Sequence, residues 1–174
     1  IDLIRGHASL DGAGRVCVDD RLYTARAVAL ATGSVPRIPE IAGLTEARPW
    51  GTREVTSADH VPERLIVLGG GYAGTEMAFA FSSLGAHVTI LSRGSLLSRE
   101  EPFVGEYLTD ALTAEGVDVR IGTTPTRVDR NDQGIVNVGL DDGTSLQAEE
   151  ILVATGRVPA TDGLGLESIG LGSE

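Results

Sequence analysis

The sequence predicts an α/β protein with a doubly wound parallel sheet and an antiparallel β-meander. Three observations carry this prediction. Apolar strand patterns alternate with helical periodicities in the centre of the chain, a glycine-rich turn joins the first of these strands to its helix, and a hairpin pattern followed by an apolar run occurs twice. Alternation of strands and helices favours a parallel sheet, because each crossover helix returns the chain to run in the same direction.

Composition narrows the classes of function. The 174 residues are enough for a hydrophobic core. The net charge of −11 argues against nucleic acid or an anionic membrane as a partner, and no apolar run reaches transmembrane length. The lone Cys17 excludes an internal disulfide, and the three histidines form no ligand spacing, so we expect no metal site. We expect a cytoplasmic protein and, since the chain starts at Ile1 without a methionine, a fragment.

The central segment opens with a strand, a tight turn and a helix. Residues 65–68 are four consecutive apolar residues, which is typical of a buried strand. The chain then enters the pattern G-x-G-x-x-G, whose glycines are Gly69, Gly71 and Gly74. Apolar residues follow at helical spacing and stop before Gly85; they are Met77, Ala78, Phe81 and Leu84. In this context of strand, turn and helix the pattern indicates dinucleotide binding.

The chemistry of a bound dinucleotide explains the spacing of the glycines. Gly69 allows the chain to turn sharply, Gly71 lacks the Cβ that would keep a pyrophosphate away, and Gly74 lets the helix lie close to the strand. The helix N-terminus then offers unpaired N–H groups and a partial positive charge to the phosphates. The motif therefore predicts a Rossmann-like site; the alternative is a glycine-rich loop that holds no ligand.

Two more strands and one helix follow in the same pattern. Residues 87–91 and 117–121 are predicted as strands, and Gly116 is predicted to end the helix between them. Apolar residues at helical spacing predict the buried face of that helix: Val104, Tyr107, Leu108, Ala111 and Leu112. A dinucleotide is expected to lie across the carboxyl ends of the parallel strands.

Two stretches of the chain share one plan. Residues 15–24 and 136–147 each predict a strand, a turn and a returning strand. Each is followed by an apolar run predicted as a buried strand, 27–31 and 150–154, that leads into Ala-Thr-Gly. We interpret this similarity as a duplication, in which the second copy forms the end of the central domain and the first forms the end of an earlier domain of the same kind. The alternative is a chance likeness of two β-meanders.

The segment between the first copy and the central domain is predicted as a connector. Pro36 and Pro39 restrict themselves and the residue before each of them, which favours extended chain. A short helical turn is predicted at residues 56–59. The connector as a whole is expected to span residues 34–63.

The end of the second predicted strand bears on the choice of nucleotide. An NAD site places an acidic residue there for the ribose 2′-hydroxyl, but the chain has Ser92 and Arg93, and the next acids are Glu100 and Glu101. A 2′-phosphate favours charged planar donors, so Arg93 and Arg99, with Ser92 as a hydroxyl donor, favour NADPH. NADH remains possible, and the arginines are then solvated surface charges.

These motifs together resemble the flavin-dependent pyridine nucleotide-disulfide oxidoreductases. The resemblance rests on the run Gly-Gly-Gly-Tyr-Ala-Gly-Thr-Glu-Met-Ala at 69–78, the paired Ala-Thr-Gly stretches, and the segments 157–159 and 161–164. It covers nearly the whole chain. Residues 89–93 and 98–102 are most similar to mercury(II) reductase, and the spacing of the two arginines is also similar to the 2′-phosphate pair of glutathione reductases.

The resemblance implies a fold of the FAD/NAD(P)-binding domain type, with part of a preceding FAD domain. The implied division is a remnant of the FAD-binding domain at 1–33, the connector at 34–63, the NAD(P)-binding domain at 64–156, and the start of the return to the FAD domain at 157–174. In the full-length protein we therefore expect FAD as a second cofactor and a homodimer.

The resemblance also implies contacts residue by residue. For NAD(P)H they are Gly69, Gly71, Tyr72, Ala73, Gly74, Glu76, Gly156 and Arg157, which join Ser92, Arg93 and Arg99 from the strand end, and for FAD they are Thr32 and Gly33. Tyr72 is implied to be a movable lid at the junction of nicotinamide and flavin, and Glu76 to lie near the nicotinamide amide. The alternatives are that Tyr72 only packs at a helix start and that Glu76 is only a favourable acid in the first helical turn.

No catalytic residue of the family is matched, because its redox cysteine pair and its His–Glu pair have no counterpart in this sequence. We expect the NADPH-binding part of a FAD-dependent oxidoreductase that passes hydride from NAD(P)H to flavin, similar to mercury(II) reductase. The alternatives are an NADH-using enzyme similar to dihydrolipoamide dehydrogenase and a non-catalytic dinucleotide-binding module. The small-molecule substrate stays open among mercuric ion, lipoamide, glutathione and oxygen.

Overall fold

A computed structural model of the chain describes residues 1–172. The chain divides into two compact units, one formed by residues 1–35 with the segment from Val158 onward and the other by Pro36–Arg157. The predicted combination of helices, a parallel sheet and antiparallel strands is confirmed. No helix within the described range is long and apolar enough to cross a membrane.

Strands outnumber helices along the described residues. The strands, in chain order, are β1 (Ala8–Leu10), β2 (Arg15–Val18), β3 (Arg21–Thr24), β4 (Ser34–Pro36), β5 (Arg64–Leu68), β6 (His87–Ser92), β7 (Asp118–Ile121), β8 (Pro125–Arg130), β9 (Val136–Leu140), β10 (Ser145–Ala148), β11 (Glu150–Val153) and β12 (Arg157–Pro159). The helices are α1 (Thr52–Thr56), α2 (Tyr72–Ser83) and α3 (Pro102–Ala114), and Leu166–Ile169 is a 3₁₀ helix. Strands β4 and β12 pair as a separate two-stranded sheet.

Four parallel strands form the centre of the larger unit in the order β11-β5-β6-β7. Successive side chains of a strand point to opposite faces, so β5 serves two cores. Ile66 and Leu68 pack with the antiparallel strands β8–β10, and Leu65 and Val67 pack with α2 and α3. The helices therefore cover one face of this sheet and the antiparallel strands cover the other. This differs from the doubly wound sheet that the sequence predicted, in which helices cover both faces.

Helix α2 forms where the sequence predicts it. It begins after Gly71 and ends at Leu84, and Gly85 follows with a positive φ of +98° that few other residues adopt. Ala78 and Phe81 are buried against the sheet. The predicted strand, turn and helix of the central segment are confirmed.

Helix α3 is present, and its predicted buried face is confirmed only in part, because Leu112 is buried and Leu108 packs against the core. Tyr107 was predicted to be buried, yet it is 80% exposed, and Ala111 is exposed too. Gly105 and Leu112 are the buried residues. A Cβ on Gly105 would lie 2.4 Å from the Leu96 carbonyl oxygen, so the helix presents its glycine to the chain that follows β6. The helix itself was predicted, but apolar periodicity counts large side chains and therefore did not identify Gly105 as its contact residue.

The antiparallel layer contains one strand more than the sequence predicted. Strands β9 and β10 correspond to the predicted hairpin at residues 136–147. Strand β8 pairs with the other side of β9 and was not predicted, because its sequence, Pro-Thr-Arg-Val-Asp-Arg, is polar apart from Val128. Val128 is fully buried.

The smaller unit contains the predicted hairpin at residues 15–24, as β2 and β3, with β1 beside β2. The buried strand predicted at residues 27–31 is wrong. The segment has no strand, and Val28 and Leu30 are exposed. An apolar run becomes a strand only beside a hydrogen-bonding neighbour, and none of the described residues pairs with it.

The helical turn predicted at residues 56–59 is also misplaced. Helix α1 lies earlier, begins after Gly51 and gives way at Ser57. The Gly51 N–H donates to Glu54 Oε2 at 2.8 Å, which fixes the start of the helix. Hydrogen bonds from the backbone N–H groups of Glu54 and Gly51 hold the pKa of the Glu54 carboxyl below its ordinary value.

The segment between residues 36 and 63 contributes to the core of the larger unit. Leu44 and Ala47 are buried with the antiparallel strands, and Val55 is buried on the helical side of the sheet. Trp50 adds a bridge to the edge of the sheet, since its N–H donates to Ile151 O and its carbonyl accepts from Val153 N, both at 2.8 Å.

The burial of this segment predicts a measurable difference between two apolar truncations. Leu44→Ala removes a side chain of 0% exposure and should lower the free energy of unfolding by about 2–5 kcal/mol. Ile38→Ala truncates a neighbour that is 43% exposed and should cost less than about 1 kcal/mol. Urea denaturation followed by circular dichroism measures both. Equal losses for the two variants would contradict the assignment of this segment to the core.

Candidate functional site

The carboxyl edge of the parallel sheet gathers three segments of the chain. They follow strands β5, β6 and β11 and are tied together by backbone hydrogen bonds. Gly69 N–H donates to Leu91 O at 2.9 Å, Ala154 N–H donates to Leu68 O at 2.8 Å, and Leu97 N–H donates to Gly70 O at 2.8 Å. This edge is where a parallel α/β sheet binds ligands.

Each glycine of the motif has its own structural reason. Gly69 has a φ of +114°, and a Cβ there would lie 2.5 Å from Ala154 O. A Cβ on Gly74 would lie 2.1 Å from Gly69 O, so only glycine lets α2 pack this closely on the turn. Gly71 is different, because a Cβ there would meet nothing within 4 Å. Packing therefore accounts for Gly69 and Gly74, and leaves Gly71 facing open space.

The N-terminus of α2 lies beside that open position. The first hydrogen bond of the helix runs from Thr75 N–H to Gly71 O at 3.0 Å, so the N–H groups of residues 72–74 have no acceptor within the helix. The Thr75 hydroxyl also donates to Gly71 O at 3.1 Å and is buried, which anchors the first turn. Free N–H groups and the positive end of the helix dipole favour an anionic group here.

The segment after β6 carries the residues predicted to select the nucleotide. Arg93 and Arg99 are exposed, and within residues 1–172 neither guanidinium forms an ion pair. Ser92 is buried and its hydroxyl already donates to Gly94 O at 2.7 Å, so it supports the loop from inside. The strand end has no carboxylate to repel a phosphate.

Ser92 also packs against the glycine run. A Cβ on Gly70 would lie 2.7 Å from Ser92 Oγ and equally close to Leu96 Cδ2. Gly70 was not singled out from the sequence, although it lies within the motif. The two segments of the edge therefore touch through a glycine and a buried hydroxyl.

Tyr72 and Glu76 lie on the exposed side of α2. The Tyr72 side chain is 59% exposed, and its hydroxyl donates to Glu100 Oε1 at 2.6 Å. This hydrogen bond, with lesser contributions from desolvation and from the charge of Glu100, raises the pKa of the Tyr72 phenol above its ordinary value. Glu76 is the fifth residue of the helix, so it is not an acid of the first turn. Ala73 is half-buried at the same helix end.

The chain after β11 is held by side-chain and backbone hydrogen bonds that the sequence did not suggest. The Thr155 hydroxyl donates to Arg37 O at 2.8 Å, and Arg37 N–H donates to Gly156 O at 2.9 Å. Arg157 Nη1 donates to Thr52 Oγ1 at 2.9 Å. Thr52 and Glu100 were not singled out from the sequence, because each hydrogen-bonds a residue far away along the chain and no local signal identifies them.

Thr32 and Gly33, predicted to contact FAD, belong to the smaller unit. Both are exposed, and Gly33 has a φ of +74° while its carbonyl accepts a hydrogen bond from Ala160 N–H at 3.0 Å. Cys17 is partly buried, with its thiol 3.0 Å from Asp19 O. Among the described residues, no group of His, Cys, Asp or Glu side chains is arranged to hold a metal ion.

Comparison with known proteins identifies the class. Residues 1–173 match the family Pyridine nucleotide-disulphide oxidoreductase, and the chain belongs to that family. Its members use FAD and NAD(P)H as cofactors. The resemblance inferred from the glycine motif and the Ala-Thr-Gly stretches is thereby confirmed.

Individual relatives include several reductases. The chain is 41% identical over 161 residues to a mercuric reductase of Acidithiobacillus ferrooxidans, covering 92% of this chain and 28% of that protein. It is 35% identical over 178 residues to a glutathione reductase of Burkholderia cepacia, covering 99% and 38%. The chain thus spans about a third of the length of these relatives.

Solved structures agree with the family assignment. The HOCl-induced flavoprotein disulfide reductase RclA of Escherichia coli matches with a TM-score of 0.90 and 28% identity, covering 99% of this chain and 40% of that one. LpdA of Mycobacterium tuberculosis matches with a TM-score of 0.80 and 30% identity, covering 97% and 39%.

The different surroundings of Gly74 and Gly71 predict different effects of one added methyl group. Gly74→Ala forces the new carbon against the Gly69 carbonyl and should lower the free energy of unfolding by about 1–3 kcal/mol. Gly71→Ala adds the same atom in open space and should change it by less than about 1 kcal/mol. Thermal and urea unfolding of both variants test this. A Gly71 variant as unstable as the Gly74 variant would contradict the geometry.

Proposed function

We propose that this chain binds NADPH at the carboxyl edge of its parallel sheet. The observation that carries the proposal is the open position at Gly71, directly beside the N–H groups of residues 72–74, which have no acceptor within α2. A pyrophosphate fits such a place, because nothing blocks its approach and the helix end favours its charge. Gly69, Ala73 and Gly74 complete the phosphate-binding loop.

The preference for NADPH over NADH rests on the end of β6. We assign the 2′-phosphate to Arg93 and Arg99, both exposed and without an ion pair among the described residues. Guanidinium groups bind phosphate through paired, charge-assisted hydrogen bonds. Ser92 acts by holding the loop through Gly94, rather than as the donor to phosphate that its position first suggested.

The nicotinamide end of the nucleotide is assigned to the remaining predicted residues. Tyr72 and Glu76 project from α2 on its exposed side, and Gly156 and Arg157 follow the neighbouring strand β11. Thr52 acts as a positioning residue for Arg157, since it accepts a hydrogen bond from that guanidinium. This assignment follows the order of the strands, with the phosphates at β5 between the two ends of the nucleotide.

In the longer protein that its relatives represent, the chain takes part in transfer of hydride from NADPH to FAD. When bound, the two cofactors would supply the redox chemistry, with nicotinamide as the hydride donor and flavin as the acceptor. We assign residues 64–156 to NADPH binding, and 1–33 and 157–174 to the FAD-binding domain, with Thr32 and Gly33 near FAD. Residues 34–63 are assigned to the connection, of which 36–63 also contributes to the core of the larger unit. The likeness to mercuric reductases supports a reductase of that kind. With a single cysteine, these 174 residues hold no redox pair, so the proposal gives them the nucleotide-binding step.

Calorimetric titration of the chain with NADPH and with NADH, without flavin, tests the proposal. We expect tighter binding of NADPH. Arg93→Glu replaces a phosphate donor with a repelling charge and should weaken NADPH binding by about tenfold or more while leaving NADH binding nearly unchanged.

Arg21→Glu is the matched control, because it makes the same change of charge at an exposed arginine of the smaller unit. It should leave both affinities close to those of the unmodified chain. Equal binding of the two nucleotides, unaffected by Arg93→Glu, would contradict the assignment of the 2′-phosphate and favour an NADH-using enzyme. Failure to bind either nucleotide would contradict the dinucleotide site itself.

A further inference from the structure

The segment at residues 154–157 is held from two sides where it leaves the parallel sheet. On one side lies the glycine turn, because Ala154 N–H donates to Leu68 O at 2.8 Å and a Cβ on Gly69 would lie 2.5 Å from Ala154 O. On the other side lies the chain that precedes α1, which contacts the segment at Arg37. The sheet thus fixes the start of residues 154–157, and Arg37 fixes the residues that follow.

Two hydrogen bonds connect Arg37 to this segment, and we name the pair the Arg37 clasp. The Thr155 hydroxyl donates to Arg37 O at 2.8 Å, and Arg37 N–H donates to Gly156 O at 2.9 Å. Arg37 enters both bonds through its backbone, and Gly156 does the same. The Thr155 hydroxyl is therefore the side-chain group on which the clasp depends.

Gly156 relies on the clasp because its surroundings are open. It is exposed, its φ is +117°, and a Cβ there would meet nothing within 4 Å. Glycine has more conformational freedom than any other residue, so hydrogen bonds have to supply the order at this position. The clasp bonds the Gly156 carbonyl and the side chain before it, and Arg157 follows directly. It therefore determines where the backbone of residues 155–157 lies.

The clasp lies at one end of the proposed nucleotide site. That site gives the nicotinamide end to Gly156 and Arg157 after β11, and the 2′-phosphate to the arginines after β6. Strand β5 lies between β6 and β11, so the clasp and those arginines belong to segments that are not neighbours in the sheet. A change confined to the clasp should therefore affect the nicotinamide end and spare the adenosine end.

We propose that Thr155 is a positioning residue for the nicotinamide end of NADPH, which acts by holding residues 155–157 in place through its hydrogen bond to the Arg37 carbonyl. The inference rests on the proposed NADPH site and adds two residues, Thr155 and Arg37, that have no assigned part in it. A segment that is already ordered binds a ligand more tightly, because less conformational entropy is lost on binding. Thr155 therefore raises the affinity for NADPH without contacting the nucleotide.

Two ligands that share the adenosine end separate the two ends of the site. NADPH carries both ends, whereas adenosine 2′,5′-bisphosphate keeps the 2′-phosphate and lacks nicotinamide. Thr155→Val replaces the hydroxyl with a methyl group of similar size and removes the bond to Arg37 O. By calorimetric titration it should weaken NADPH binding by about threefold to tenfold and change the affinity for the bisphosphate by less than about twofold.

Two further variants control for the substitution itself. Thr155→Ser keeps the hydroxyl and should retain the NADPH affinity of the unmodified chain within about twofold. Thr126→Val makes the same change in β8 of the antiparallel layer, where an exposed hydroxyl donates to Gly139 O at 3.2 Å, and it should change neither affinity. A Thr155→Ser variant as weak as Thr155→Val would overturn the proposal, because the hydroxyl would then not be the group that acts.

Arg37→Ala distinguishes the backbone of the clasp from the guanidinium. The variant keeps the carbonyl and the N–H of residue 37, so the NADPH affinity should stay within about twofold of that of the unmodified chain. A loss equal to that of Thr155→Val would assign the effect to the charge of the arginine and would overturn the clasp.

Hydrogen exchange tests the clasp without any nucleotide. The Arg37 N–H is bonded to Gly156 O, so its exchange with solvent, followed by NMR, reports the opening of the clasp. This amide should exchange faster in Thr155→Val than in the unmodified chain, and at the same rate in Thr126→Val. Equal rates in Thr155→Val and the unmodified chain would show that the hydroxyl does not hold the segment and would overturn the proposal, whatever the affinities.

The two ligands also distinguish failure of this inference from failure of the NADPH site. If Thr155→Val binds NADPH as tightly as the unmodified chain does, or weakens both ligands alike, the positioning role is wrong and the site stands. If neither ligand binds to the unmodified chain, the proposed site is wrong and the positioning role falls with it.

Discussion

The close approach of Gly74 to the Gly69 carbonyl is the constraint on which the rest of the site depends. A Cβ at residue 74 would lie 2.1 Å from that oxygen, so the helix can lie this near the turn only because glycine has no side chain. That contact sets where α2 begins, and with it where the free N–H groups of the first turn point. The open position at Gly71 gives access to these N–H groups only because the helix end is fixed beside it.

Glycine also permits close packing at two other positions on this edge of the sheet. Gly105 lets α3 settle against the Leu96 carbonyl, and Gly70 lets the turn touch the buried Ser92. Because these contacts involve glycines, the segment after β6 packs closely against the glycine loop, while Arg93 and Arg99 remain exposed to solvent. The fold thus combines tight packing of backbone with exposed charge, which is what a site for a large anion requires.

Sequence reasoning succeeded where the signal is local. The strand at residues 65–68, the glycine motif and the helix after it each carry their own pattern, and all three were found. It failed where the outcome depends on a distant partner. The apolar run at 27–31 lacks a neighbouring strand, Tyr107 lies outside because Gly105 turns α3, and polar β8 forms because β9 offers it an edge. Glu100 belongs with these, since only the fold brings it to Tyr72.

We propose that NADPH lies along the carboxyl edge of the parallel sheet. Mapping of backbone amide shifts by NMR, during titration of the isotopically labelled chain with NADPH, measures this placement residue by residue. We expect the largest changes on residues 69–74, 92–100 and 154–157, with the N–H groups of 72–74 among them. Changes concentrated in the antiparallel strands β8–β10, with residues 69–74 unaffected, would contradict it.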